Sequence, residues 1–182
     1  RGEQKGVLIG SFSRTDPNGP LTWATQHKIP LPVVPIALES ADMDLNGLED
    51  LVVLGLTSEG GVEGRLVPVL QYEVEGSRHF RHWMRLPTST MPRDIDLADL
   101  NGDGLPEVLV CAQFAHIVDL WEGGTKGNGT FTLYRRDGIG TGVGAMAAEI
   151  LDLDGKGGLD LAVADGHADQ ISLVLNSTEQ AP

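Results

Sequence analysis

The sequence predicts an all-β chain assembled from four-stranded antiparallel units, and three observations carry that expectation. Short aliphatic and β-branched runs recur along the chain, punctuated by clusters of Gly, Pro, Asn and Asp, which is the composition of strands joined by turns. An acidic nine-residue stretch occurs three times, and each copy runs straight into an apolar segment: Leu51-Val52-Val53-Leu54, Val108-Leu109-Val110-Cys111 and Leu161-Ala162-Val163-Ala164. The three copies begin at Asp42, Asp99 and Asp152, spacings of 57 and 53 residues, within the range of propellers, solenoids and arrays. Four short strands per period match one propeller blade. The expected architecture is therefore β-propeller-type blades of four antiparallel strands, about three of them, incomplete at both ends.

Size and charge bound the rest. A chain of 182 residues with 41% hydrophobic composition can bury a core as one domain or two small ones. Thirteen Lys and Arg against twenty-six Asp and Glu give a net charge of −13. That balance argues against sequence-independent binding of nucleic acid or anionic lipid, and it favours metal cations and basic surfaces as partners. Cys111, alone in the chain and inside an apolar run, reads as a small buried hydrophobe. No apolar run reaches the roughly 18 residues of a membrane span. A start at Arg1, without Met or a signal-like segment, reads as a piece of a longer product.

Taken in order, residues 1–30 carry strand-like runs at 6–12 and 21–25, parted by turn chemistry at 16–20. They are expected to be two strands of a partial blade, or exchanged strands. A proline-punctuated linker at 30–35 opens the unit 31–87, with strands near 36–38, 51–54, 65–72 and 78–86. The unit 88–142 repeats the order, with strands from Pro92, at 107–112, 117–121 and 130–135. The last unit, 143–182, has its loop, a strand at 159–164 and another at 171–175, and lacks its final strand.

Within the loops, oxygen-bearing side chains fall at positions one, three, five and nine. The first loop offers Asp42, Asp44, Asn46 and Asp50, and the second Asp99, Asn101, Asp103 and Glu107. A hard cation such as Ca²⁺ takes six to eight oxygens at about 2.3–2.6 Å, which alternate side chains on a tightly curled loop can supply. Glycine at position six, Gly47, Gly104 or Gly157, permits the positive φ of such a curl, and the carbonyl at position seven, Leu48 or Leu105, is expected to turn inward. An EF-hand is excluded, because its twelfth position is a bidentate Glu and its flanks are helices, whereas here the twelfth residue is Val53, Val110 or Val163. The third loop departs from the pattern. It keeps Asp152, Asp154 and Asp160 but sets Lys156 where an oxygen is expected, so its ammonium is expected to replace the ion.

These loops with their following strands resemble the FG-GAP/VCBS repeat, the calcium-loop blade of integrin α-subunit propellers and of many bacterial secreted proteins. Val118-Asp119-Leu120-Trp121 before Gly127-Asn128-Gly129-Thr130-Phe131, and Ile171-Ser172-Leu173-Val174-Leu175-Asn176, resemble that family's blade endings. The resemblance spans nearly the whole chain. It implies two Ca²⁺ sites, in the first and second loops, with the third loop in doubt. It also implies a secreted or cell-surface module for binding, adhesion or assembly. Its partners would be protein or glycan ligands, with no catalysis of its own. The alternative is a non-catalytic carbohydrate-binding or accessory domain of a secreted carbohydrate-active enzyme.

Other candidate motifs have plainer readings. Gly140-Thr141-Gly142-Val143-Gly144-Ala145 matches a dinucleotide fingerprint, yet only six residues part it from the third loop, leaving no room for the helix that such a site needs. It reads as an inter-unit linker. His79, His82 and Trp83 read as strand surface. Glu39, Asp96 and Glu149, three residues before each loop, read as repeated charges on the solvent side of a strand rather than as a second acidic shell. No G-x-S-x-G, H-E-x-x-H or C-x-x-C is present, and Asn128 and Asn176 head glycosylation sequons. Two open ends predict closure by strand exchange, with 6–12 or 21–25 pairing beside 171–175. Exchange between chains, giving a homo-oligomer or filament, is the favoured form.

Overall fold

The computed structural model describes residues 6–13, 22–125 and 131–176, and within them the chain is all-β, with antiparallel pairing throughout. Strands β1 (Gly6–Ser13) and β2 (Thr22–Pro30) form a hairpin. The second sheet runs β3 (Val34–Ala41), β4 (Asp50–Leu56), β5 (Gly64–Val74), β6 (Ser77–His82), and the short β7 (Leu86–Pro87) also pairs with β5. The third sheet runs β8 (Pro92–Ala98), β9 (Glu107–Ala112), β10 (Ile117–Thr125), β11 (Phe131–Gly140). The fourth has β12 (Ala145–Leu151), β13 (Asp160–Asp165) and β14 (Gln170–Val174). Each acidic loop joins the first strand of a sheet to the second.

The second strands are apolar at consecutive positions because both of their faces are covered. From the second sheet, Val53, Val67 and Val69 pack on Val7, Ile9 and Ile29 of the hairpin. From its other face, Val52, Leu54, Leu66 and Leu70 meet Ile95, Val108, Val110 and Trp121 of the third sheet. The third sheet then turns Leu109, Cys111 and Val118 toward Ala145, Leu161 and Val163 of the fourth. The four sheets thus stack in a row, hairpin first, and among the described residues they close into no barrel or ring. The row ends abruptly. Ile171 and Leu173, on the far face of the fourth sheet, are 69% and 60% exposed.

Polar pins hold neighbouring sheets together. Asp119, fully buried on β10, accepts Ser89 N at 2.7 Å and Ser89 Oγ at 2.8 Å, and Arg135 Nη2 donates to it at 2.6 Å. At the next junction Ser172 stands in the corresponding place, accepting Gly142 N at 3.3 Å and donating to the buried Asp165. A Cβ on Gly142 would lie 2.5 Å from Asp165 Oδ2 and 2.3 Å from Gln170 Nε2, so a side chain there would have to push both groups aside.

Several expectations are corrected. Residues 31–33 are no loose linker: Leu31 and Val33 are buried in the core shared with the hairpin. The run 78–86 is two strands, broken where Trp83 turns into the core and donates Nε1 to the Phe131 carbonyl. The segment 141–144 joins β11 to β12, as the linker reading expected, and a strand rather than a helix follows it. Within this chain β1 and β2 pair with each other rather than beside β14. The turn at 16–20, the sequon at Asn128, and Ser177 and Thr178 lie outside the described residues.

Candidate metal centres in the acidic loops

All three loops are wound by the same local chemistry. The carboxylate at position one turns back on the amides ahead of it: Asp42 accepts from Asn46 N and Gly47 N at 3.0 and 2.7 Å, and Asp152 from Gly155 N and Gly157 N at 2.8 and 3.0 Å. Asp99 accepts from Gly102 N, Asp103 N and Gly104 N. Position six is a positive-φ glycine in each loop, with φ 83° at Gly47, 88° at Gly104 and 87° at Gly157, where a Cβ would be strained.

In the first loop Asp42, Asp44 and Asp50 each bring an oxygen within 4.8 Å of the others. Asp50 is fully buried, accepting Met43 N at 3.0 Å and Gln71 N at 2.6 Å, so it ties the loop to β5. Burial pushes its carboxyl up to about 6, against the pull of those two amides, and the charges of Asp44 and Asp42 push the same way. Asp44 is also raised, first by burial and then by Asp42, with the Arg81 guanidinium opposing. Its Oδ1 is enclosed and has no hydrogen-bond partner. Asn46 faces elsewhere: its amide nitrogen donates to the Gln71 carbonyl at 2.9 Å, and its Oδ1 accepts Leu48 N at 2.8 Å. An enclosed acceptor without a donor, beside two further carboxylates, fits a hard cation bound through oxygen.

The third loop repeats this geometry. Asp152, Asp154 and Asp160 converge within the same 4.8 Å, and the buried Asp160 accepts Leu153 N and Asn176 N, both at 2.8 Å. The expectation that Lys156 fills the ion's place is corrected. Its side chain is 80% exposed and its ammonium pairs with Asp154 alone, at 2.7 Å, holding that carboxyl below its ordinary value. The ammonium turns to Asp154, with Asp160 a more distant electrostatic neighbour.

The second loop departs in the opposite sense. Among the described residues only the first and third loops bring three carboxylates together. Here the amide nitrogen of Asn101 lies between Asp103 Oδ2 at 3.2 Å and Glu107 Oε1 at 2.9 Å, placing an N–H donor among the acids. Glu107 accepts Leu100 N at 2.7 Å, and burial raises its carboxyl. Leu105 N is held by Asp103 Oδ1 at 2.8 Å. One extra methylene lets Glu107 reach Asn101, whereas the shorter Asp50 and Asp160 accept an amide from Gln71 or just beyond β14.

Sequence reasoning missed Gln71 and Asn176, whose contribution is a main-chain N–H and carries no side-chain signal. It also missed the role of the acids on the first strands. Asp94 and Asp96 accept Ala148 N and Ile150 N of β12 at 3.3 and 2.9 Å, joining two sheets. Glu39 is raised by burial first and then by Asp96, Asp94 and Glu149, so the repeated acids face one another across three first strands. A comparison with protein-family models finds no match, and a comparison with curated proteins finds no relative.

Asp50 gives a pH prediction for the metal-free chain. A carboxyl raised in the folded state binds its proton more tightly there than in the unfolded state, so stability is greatest at low pH and falls as pH rises from about 4 to about 6. The slope is at most ~1.4 kcal/mol per pH unit for one group. Urea unfolding in EDTA at pH 5 and pH 7 is expected to show the lower pH more stable, and Asp50→Asn to reduce that difference. An unchanged difference in the variant would remove Asp50 as the cause.

Proposed function

We propose that this chain is a calcium-stabilised module of the β-propeller type, its stacked sheets serving as successive blades, and that it acts outside the cell in binding, adhesion or assembly rather than in catalysis. The observation that carries the metal reading is the enclosed, partnerless Asp44 Oδ1 beside Asp42 and the buried Asp50. Asp42, Asp44 and Asp50 would hold the ion in the first loop, and Asp152, Asp154 and Asp160 in the third. In the second loop Asp99, Asp103 and Glu107 would have to displace the Asn101 amide. What Ca²⁺ supplies is charge neutralisation among carboxylates. At an effective dielectric near 20, a pair of carboxylates about 5 Å apart repels by roughly 3 kcal/mol.

Loops that offer only three carboxylates belong to the weak range of about 10⁻⁴–10⁻³ M, suited to surroundings rich in calcium. At ten times its Kd the ion adds about 1.4 kcal/mol, or ~4 °C in melting temperature for a chain of this size. Calcium is expected to raise Tm by that order over EDTA, and Asp44→Ala to abolish most of the rise. Lys156→Gln, which removes a competing ammonium from Asp154, is expected to tighten calcium binding at the third loop by calorimetry without changing the number of sites. The same melt in calcium and EDTA, with no heat of binding, would overturn the reading.

The partner we infer for the uncovered face of the fourth sheet is a second copy. The equivalent faces of the second and third sheets, at Val52 and Leu54 and at Leu109 and Cys111, are each covered by another sheet of this kind. A head-to-tail contact repeats and yields a ring or an open filament. Light scattering is expected to show mass rising with concentration, and Ile171→Lys with Leu173→Lys to hold the chain monomeric. A monomer at all concentrations would count against it.

A further inference from the structure

Two histidines meet at the junction between the third and fourth sheets, each on the turn between the second and third strands of its sheet. His116 ends the turn from β9 to β10, and His167 lies in the turn from β13 to β14. The linker from β11 to β12 touches both. Gly144 N donates to His116 Nδ1 at 3.0 Å, and the His167 ring lies so close that a Cβ on Gly144 would be 2.8 Å from its Cγ. Main-chain bonds complete the joint: Thr141 N to the His116 carbonyl at 3.2 Å, Gly166 N to the Gly144 carbonyl at 2.9 Å, and His167 N to the Val143 carbonyl at 3.1 Å. Both histidines are exposed, so protons reach them from water without unfolding.

The donors around the two rings decide which nitrogen can carry a proton. A main-chain N–H can only donate, so His116 Nδ1 is the bare nitrogen and its ring proton sits on Nε2. Gln113, itself 4% exposed, fixes the second ring. Its Oε1 accepts Arg93 Nε at 2.6 Å, and because a guanidinium only donates, the Gln113 amide must turn its NH2 toward His167 Nε2, 3.0 Å away. His167 Nε2 is then an acceptor as well, with its proton on Nδ1. A proton added to either acceptor would set N–H against N–H. The charged groups on the surrounding elements offer little compensation: Arg93 on β8 is a cation, Asp119 on β10 is held by Ser89 and Arg135, Asp137 on β11 by Gly138 N, and Asp165 at the end of β13 by Ser172. Asp169, in the same turn as His167, and Glu149 on β12 complete the set, and among the described residues neither histidine forms an ion pair.

We propose that His116 and His167 form an acid-sensitive latch between the third and fourth sheets, closed at neutral pH and loosened as pH falls below about 6.5, the ordinary histidine range. In the closed joint a ring can take a second proton only by giving up its bond, whereas in the released turns it takes one freely. The open state therefore binds more protons, so closure is complete above that range and weakens below it. The sign is opposite to that of Asp50, which acts from the second sheet. The acidic loops enter β9 and β13 at their other ends, so the latch does not depend on calcium in them.

The test is hydrogen exchange of the full chain at pH 7.5 and pH 5.5, corrected for the intrinsic pH dependence of exchange, in the parent and in the double variant His116→Asn, His167→Gln. The Asn oxygen takes the place of Nδ1 and suits the φ of 56° at residue 116, and the Gln oxygen takes the place of Nε2. Neither replacement titrates. In the parent, opening of residues 141–174 is expected to rise ~10-fold relative to β4 and β5 on going to the lower pH. The double variant is expected to match the parent at pH 7.5 and to lack that rise. Nitrogen NMR of the parent at pH 7.5 is expected to find the ring proton on Nε2 in His116 and on Nδ1 in His167, a reading that stands whether or not the variant folds. An unchanged ratio in the parent, the same rise in the double variant, or the opposite tautomer on either ring would each overturn the proposal.

Discussion

A buried carboxylate at the start of each second strand is the constraint around which the fold is arranged. Asp50, Glu107 and Asp160 are 0%, 3% and 2% exposed, and a charge removed from water is costly unless donors surround it. The chain supplies those donors from its own backbone. In each unit the second residue of the loop, Met43, Leu100 or Leu153, gives its N–H to this carboxylate. In the first and third units a residue of, or just beyond, the third strand adds another, Gln71 or Asn176. One side chain thereby fixes the curl of the loop, the end of the first strand and the register of the third. The remaining negative charge, concentrated with Asp42 and Asp44 or with Asp152 and Asp154, is what a cation would neutralise.

Stacking follows from the same repeat. A second strand entered from a tightly wound loop and flanked on both sides is buried on both faces, so the residues after its opening carboxylate are apolar at consecutive positions. The junctions are then made specific by polar groups: Asp119 with Ser89 and Arg135, Ser172 with Gly142, and Asp94 and Asp96 with the amides of β12. Acids that look redundant in an acidic chain act as inter-sheet acceptors. The charge of −13 is accordingly uneven: acids line the loops and the first strands, while the cations gather on the outer edge of the second sheet.

Much of this was legible in the sequence, for physical reasons. Strand 107–112 is read correctly because six buried residues between a loop and a turn leave no other period. The position-six glycines are read because only glycine accepts their φ without strain. What was not legible depends on contacts distant in sequence. Lys156 sits at a ligand position, yet its ammonium reaches only Asp154, and no spacing rule encodes the direction of a long flexible side chain. Asn46, fifth in its loop, and Asn101, third in its loop, both count as oxygen ligands by spacing, yet one amide donates to the Gln71 carbonyl and the other to Asp103 and Glu107, directions set by partners that the spacing does not encode. Leu31 and Val33 look like a linker between prolines and become core only once the hairpin covers them. The break between β6 and β7 comes from Trp83 finding the Phe131 carbonyl, 48 residues away.

The central claim, that the acidic loops are cation sites organised by buried carboxylates, is tested most directly by anomalous diffraction from crystals grown with Tb³⁺ as a Ca²⁺ analogue. The account predicts a strong peak in the first loop at oxygen-coordination distance, about 2.3–2.6 Å, from Asp42, Asp44 and Asp50, with Asp44 Oδ1 among the ligands. No peak at that loop in a well-ordered crystal, with Asp44 Oδ1 bonded instead to a protein donor, would contradict it.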